Sequence, residues 1–266
     1  MTDAPSAALA APQDTPVSNE TIAALMAHRT IRAFAEGGLD EPTVTTLLDA
    51  ARHGATSSFL QQTTIIRVQD PAIREAVHGA SRQPYVGGSR GELFVFVVDL
   101  HRNAVIRQRA GASLEPLERM SVFLQGLEDT VIAAQNMVVA AESLGLGTVY
   151  LGSIQGDARA VIRALGLPER TFPLVGLIVG RAEQTPQYKP RLPRRITTGV
   201  DAYPRLEAQE EALAAYDTTV QEYYDLRDAN ARLDSFSTLI ARNLGVGAAA
   251  TAPTLEILRE QRLALH

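Results

Sequence analysis

Two guanidiniums, a hydroxyl and an imidazole fall within five residues at His28-Arg29-Thr30-Ile31-Arg32. With only Ile31 apolar among them, these donors make an anion clamp if they converge, because a guanidinium pairs with phosphate or carboxylate oxygens through two parallel hydrogen bonds. Cations that complement the dipole at a helix C-terminus would account for His28 and Arg29, and for Arg32 less well. A second cluster, Thr56-Ser57-Ser58 followed by Phe59-Leu60-Gln61-Gln62, supplies hydroxyls and amides. A third, Lys189-Pro190-Arg191-Leu192-Pro193, sets two cations on a backbone stiffened by proline. Three such segments suggest a small polyanionic molecule with many acceptors. Of the 25 basic residues only Lys189 is lysine. Amid that bias it marks either a site wanting a compact ammonium or a chance survivor on a loop.

Other chemistries lack their residues. The sequence has no cysteine, which excludes disulfide scaffolds, thiolate zinc sites, iron–sulfur clusters and dithiol redox chemistry. Its five histidines are scattered, with no i, i+4 pair of the kind that holds a metal on a helix. The run Gly145-Leu-Gly147-Thr-Val-Tyr150-Leu-Gly152 invites a dinucleotide reading, but it passes from helix to strand, the reverse of the order a phosphate turn requires. Gly145 fits a helix end better. The apolar stretch 93–99 ends in an acid, as nucleotide-ribose binders do, yet no glycine-rich turn lies at the expected spacing upstream. A net charge of -5 and a pI near 5.6 argue against nucleic acid as a partner.

These residues need a scaffold. At 266 residues, 45% hydrophobic and 21% charged, the chain can build one large domain or two small ones. Residues 1–17 read as a disordered tail, too acidic and too poor in basic residues for a secretory leader. Helices are expected over 20–27, 40–53 and 71–78, and strands over 63–68 and 93–99. A linker with Gly111 and Pro116 leads to a long helical segment, 117–144, apolar on more than one face and hence buried centrally or at a subunit interface. A strand at 148–151, a helix at 157–165 and a strand at 174–179 follow, then an irregular Pro- and Arg-rich piece, 180–204. Beyond residue 206 come two or three helices with an Ala/Gly break at 245–252, giving a main domain over 18–245 and a last helix over 246–266. Helices and strands do not alternate throughout, which favours α+β over a doubly wound sheet. The apolar runs are far shorter than the roughly 20 residues a membrane helix needs, so the expectation is a cytoplasmic protein with no membrane partner.

Taken together, His-Arg-Thr-Ile-Arg at 28–32, Ser57-Ser-Phe-Leu-Gln61, Ala140-Ala-Glu-Ser-Leu-Gly-Leu-Gly147, Tyr150-Leu-Gly-Ser153 and Lys189-Pro-Arg-Leu-Pro193 resemble, in order, the flavin-dependent nitroreductase family. The closer likeness is to its oxygen-insensitive NADPH nitroreductase and NADPH-flavin oxidoreductase branch, and it runs from about residue 18 to 240. The resemblance implies an intertwined α+β homodimer, with a mainly antiparallel central sheet flanked by helices and FMN at the subunit interface. By position, His28, Arg29, Thr30 and Arg32 would bind the FMN phosphate, ribityl chain and ring edge, with Thr30 where relatives often carry Ser. Thr56, Ser57 and Ser58 match a serine-rich stretch. Gln83 matches a ring-contacting glutamine after a one-residue insertion. Tyr150, Leu151, Gly152 and Ser153 would line the isoalloxazine, position 153 often being Gly. Lys189 and Arg191 would address the pyrimidine side and the phosphate.

The implied chemistry is hydride transfer from NADPH to flavin N5 and on to an electron-poor acceptor, in alternation, with no protein nucleophile or metal. Nitroaromatics, quinones, chromate, azo dyes and free flavin all fit as acceptors. A flavin-holding or regulatory protein with poor turnover, and a reductive dehalogenase or flavin-fragmenting enzyme on the same scaffold, stand as alternatives. NADPH carries a 2′-phosphate that no Rossmann residue is present to read. Arg227 and Arg232, five residues apart after a long polar helix, are the expected basic pair, the resembling branch having Arg at both places; otherwise they are solvated helix-end charges.

Overall fold

The computed structural model describes residues 17–227, 235–243 and 252–266, with the backbone alone at 224–227 and 243. The first helix, α1 (Glu20–Ala27), starts where the Asn19 side chain accepts the Ile22 N–H, and α2 (Glu41–Arg52) where Asp40 accepts that of Thr43 just after Pro42. Such caps satisfy N–H groups that a helix start leaves without partners. β1 (Thr63–Val68) is followed by α3 (Pro71–Ser81), capped by Asp70 and closed by Arg82 in the left-handed region at φ 53°. It runs three residues past the expected end. β2 (Glu92–Asp99) is buried almost throughout.

α4 (His101–Arg109) was not foreseen. It is mostly polar and buries only Ala104, so it carries no apolar stripe to read. Side-chain hydrogen bonds hold it instead: Asp99 accepts the Arg102 N–H, while the Arg102 guanidinium donates to the carbonyls of Gln61 and Thr63 and to the Asp99 carboxylate. The acid that ends the apolar strand thus has a structural role.

Next come α5 (Met120–Ser143), β3 (Gly147–Leu151), α6 (Ala158–Leu165) and β4 (Thr171–Gly180). Gly145 at φ 74° and Gly166 at φ 59° take the left-handed conformation that ends α5 and α6. α7 (Arg194–Thr197) is a single turn in the irregular segment, and α8 (Glu210–Arg227), α9 (Phe236–Asn243) and α10 (Thr254–Glu260) complete the chain. The expected tail at 1–17, apart from Val17, and most of the Ala/Gly break lie outside the described residues.

The strands form one antiparallel sheet in the order β1-β2-β4-β3, so the fold is α+β as expected. Pro173 sits in β4 beyond the last pairing with β3, opposite a register shift in β2. A residue without an N–H is tolerated at such a place. One face of the sheet packs Val77, Val95, Val149 and Val161 together with α3 and α6, and the other packs Leu47, Phe94, Phe96 and Met137 with α2 and α5. A third cluster, with Phe123, Phe172, Leu258 and Leu263, seats α10. α5 buries Phe123, Met137 and Val138 but leaves Leu124, Val131 and Ile132 exposed, and α1 leaves Leu25 and Met26 exposed. Among the described residues, no helix is long and apolar enough to cross a membrane.

Candidate functional site

The donor segment 28–32 docks on β3 through an isolated bridge. Thr30 pairs in parallel with Thr148, and the Ile31 N–H donates to the Thr148 carbonyl at 2.9 Å. Ile31 lies so close to Gly147 that a Cβ there would stand 2.6 Å from its side chain, so this approach requires glycine. Glu142, at the end of α5, accepts from His28 Nδ1 at 2.6 Å and from the Thr148 hydroxyl at 2.8 Å. One carboxylate therefore joins the donor segment, the edge strand and the central helix.

The proline-stiffened loop approaches from the other side. His28, Arg29, Thr30, Arg32, Lys189 and Arg191 line one cleft of about 330 Å³, completed by Gln184, Pro186, Gln187 and Tyr223. Among the described residues, four cations and no carboxylate line this space, so its field favours an anion. The Arg29 guanidinium lies 4.6 Å from the Tyr188 ring centre and that of Arg32 5.9 Å from Tyr85, cation–π contacts that hold each beside the cleft. Arg29 also donates to the carbonyls of Ala27 and His28 at 2.5 and 3.1 Å, so part of its role is to cap α1. Arg191 donates to the Lys189 carbonyl at 2.6 Å, and the Tyr216 hydroxyl to that of Pro190, which ties the loop to α8.

The other anticipated residues stand around this cleft or away from it. Gln83 is half-buried in the turn after α3, two residues before Tyr85. Tyr150 donates to Gln135 at 3.2 Å, and burial first, then the Glu142 charge, pushes its phenol up to about 12. Leu151 is buried in the core, Ser153 is half-buried, and a Cβ at Gly152 would meet nothing within 4 Å, so the space over Gly152 is open. Thr56, Ser57 and Ser58 are not brought to the cleft within the chain. The Ser57 N–H donates to Asp129, thirteen residues before Glu142 on α5, or about 20 Å along the helix axis. Arg227 is the last residue of α8, its side chain undescribed, and Arg232 lies outside the described residues.

A sequence model of the nitroreductase family matches residues 25–181, and one of the nitroreductase family C-terminal domain matches 189–266. The chain belongs to the nitroreductase family. An oxygen-insensitive NADPH nitroreductase of Salmonella typhimurium is 38% identical to it, with 84% of this chain and 90% of the relative covered. An NADPH-flavin oxidoreductase of Vibrio harveyi is 36% identical, covering 85% and 91%. Among solved structures, nitroreductase A from Vibrio parahaemolyticus superposes with a TM-score of 0.83 at 34% identity, over 94% of this chain and all of that one. The NADPH:FMN oxidoreductase from Vibrio harveyi complexed with NAD+ gives 0.81 at 32%, over 93% and 100%.

Sequence reasoning missed two residues that shape this cleft. Tyr188 carries no signal beyond its place beside Lys189. Glu142 does: an acid in the last turn of a helix opposes the dipole and calls for a specific partner.

Proposed function

We propose that this chain is an FMN-dependent NADPH oxidoreductase that delivers electrons to small electron-poor acceptors, among them nitroaromatics, quinones, chromate, azo dyes and free flavin. The observation that carries the reading is the cleft in which Arg29, Arg32, Lys189 and Arg191 meet with no carboxylate among the described lining residues. Such a donor set fits a phosphate monoester beside a ring that gains negative charge on reduction. The open space over Gly152, at the end of the strand that docks the donor segment, suits a flat ring. The names of the relatives from Salmonella typhimurium and Vibrio harveyi, and of the FMN reductase (NADPH) from Bacillus subtilis, support the same cofactors.

When bound, FMN would supply hydride transfer at N5, taken from NADPH and passed to the acceptor in alternation. The chain's residues bind and tune. Arg29, Arg32 and Arg191 would neutralise the phosphate, and the Lys189 ammonium would address the pyrimidine side and favour added negative charge there. Gln83 and the backbone of Tyr150, Leu151, Gly152 and Ser153 border the ring. Thr56, Ser57 and Ser58, about 20 Å along α5 from His28, act on the cofactor of a second copy. The exposed apolar side chains of α1 and α5 form the contact between copies. Arg227 and Arg232 read the 2′-phosphate of NADPH.

Purified protein is expected to be yellow and dimeric, with about one heat-releasable FMN per chain, and to consume NADPH when a nitroaromatic is added. A colourless monomer that ignores added FMN overturns the reading. A yellow dimer that does not turn over selects the flavin-holding alternative.

A further inference from the structure

Glu142 occupies a costly place. A carboxylate in the last turn of a helix faces the negative end of the dipole, and this one is largely buried, with 14% of its side chain exposed. What holds it there is a pair of donors on the same oxygen, His28 Nδ1 and the Thr148 hydroxyl. A carboxylate only accepts hydrogen bonds, so the His28 proton sits on Nδ1. Among the described residues no hydrogen bond engages Nε2, and His28 lines the cationic cleft.

We propose that Glu142 is a positioning residue that fixes His28 in its Nδ1–H tautomer, so that Nε2 accepts a hydrogen bond from a hydroxyl of the bound molecule. A neutral ring held this way offers a lone pair, which a phosphate oxygen avoids and an O–H seeks. The cleft then divides its work: the guanidiniums and Lys189 take the charge, and His28 takes a hydroxyl beside it. This rests on the FMN reading, in which the hydroxyl belongs to the ribityl chain. The arrangement also accounts for a histidine among four cations, where a further donor would add little.

Two measurements test it. In protein labelled with 15N-histidine and kept at pH 7.5, the His28 ring is expected to show a protonated Nδ1 and a bare Nε2; an Nε2–H tautomer or a doubly protonated ring overturns the proposal whether or not FMN binds. For FMN affinity, measured by quenching of flavin fluorescence, Glu142→Ala should weaken binding by about 3- to 10-fold, the loss of one oriented neutral hydrogen bond. Glu142→Gln, whose carbonyl can still accept, should recover part of it. In a His28→Ala background, Glu142→Ala should add almost nothing, because its effect passes through the imidazole. Additive losses would mean that Glu142 merely braces the fold, and would overturn the proposal while leaving the FMN reading intact. Wild-type protein that binds no FMN would fell that reading instead, and the tautomer measurement would still decide this one.

Discussion

The cationic cleft and the hydroxyl loop are built on opposite principles. Around the cleft, Arg32, Lys189 and Arg191 are exposed, and segments far apart in sequence are drawn together by an isolated bridge to β3, two aromatic rings and one carboxylate. The loop after α2 is local and strained. Ser58, Phe59 and Gln61 all have positive φ, between 51° and 58°, a conformation that costs a non-glycine residue roughly 1–2 kcal/mol. The buried Asp129 fastens its two ends by accepting the N–H groups of Ser57 and Gln62, and Arg102 grips the Gln61 carbonyl. Phe59 nonetheless stands 82% exposed. Strain held in place around an exposed aromatic suggests a surface shaped for something outside the chain. One region gathers cations around a cleft of its own chain, whereas the other holds a strained loop that presents an aromatic ring to solvent.

Removing charge from the cleft should have the largest effect. Arg32 is the cleaner target, since Arg29 also caps α1. Arg32→Ala should weaken FMN binding about 10- to 150-fold, the value of one charge-assisted contact, while thermal stability stays near wild type. A loss of less than 2-fold, seen by titration with FMN, would show that the cleft does not read a phosphate.

The loop should respond in the reverse sense, with stability falling first. Asp129→Ala strands two backbone N–H groups and is expected to cost about 1–3 kcal/mol, seen as a Tm lowered by roughly 2–10 °C. Its effect on FMN binding should be smaller than that of Arg32→Ala and should appear in the partner's site. Mixed dimers of Arg32→Ala and Asp129→Ala chains then contain one site with both defects and one with neither. Tight binding should return to about half of the sites, and its failure to return would place cleft and loop at the same site of one chain.

How far the sequence revealed these regions follows the same contrast. The donor run at 28–32 was legible because four polar residues in five make a pattern wherever they lie, and the helix and strand bounds near it follow from Asn19, Asp40 and the β-branched run 63–68. α4 was not, since its stability comes from Arg102 reaching back to residues 61–64 and not from any periodicity of its own. The distance between the cleft and Ser57 was equally hidden. Both clusters directly follow helices, and only the packing of α5 between them sets them about 20 Å apart. The resemblance supplied the roles of the two clusters, whereas the Asp129 clamp and the Glu142 link are visible only in three dimensions.

The smallest expected effect concerns Lys189, which the sequence singled out as its only lysine and which the structure leaves exposed at the rim of the cleft. Exposure argues against a large share in binding, because solvent screens its charge while the cofactor is neutral at the ring. The share should grow on reduction, when negative charge gathers on the pyrimidine side next to the ammonium. Lys189→Ala should therefore change FMN affinity little and lower the two-electron potential. If the ammonium favours the reduced form by about 1–2 kcal/mol, the drop is roughly 20–45 mV. Lys189→Arg should restore only part of it, since the guanidinium spreads the same charge over a wider and differently shaped fork. A spectroelectrochemical titration that finds the potential of Lys189→Ala unchanged would return this lysine to the status of a chance survivor, and would leave the three arginines as the cleft's working charge.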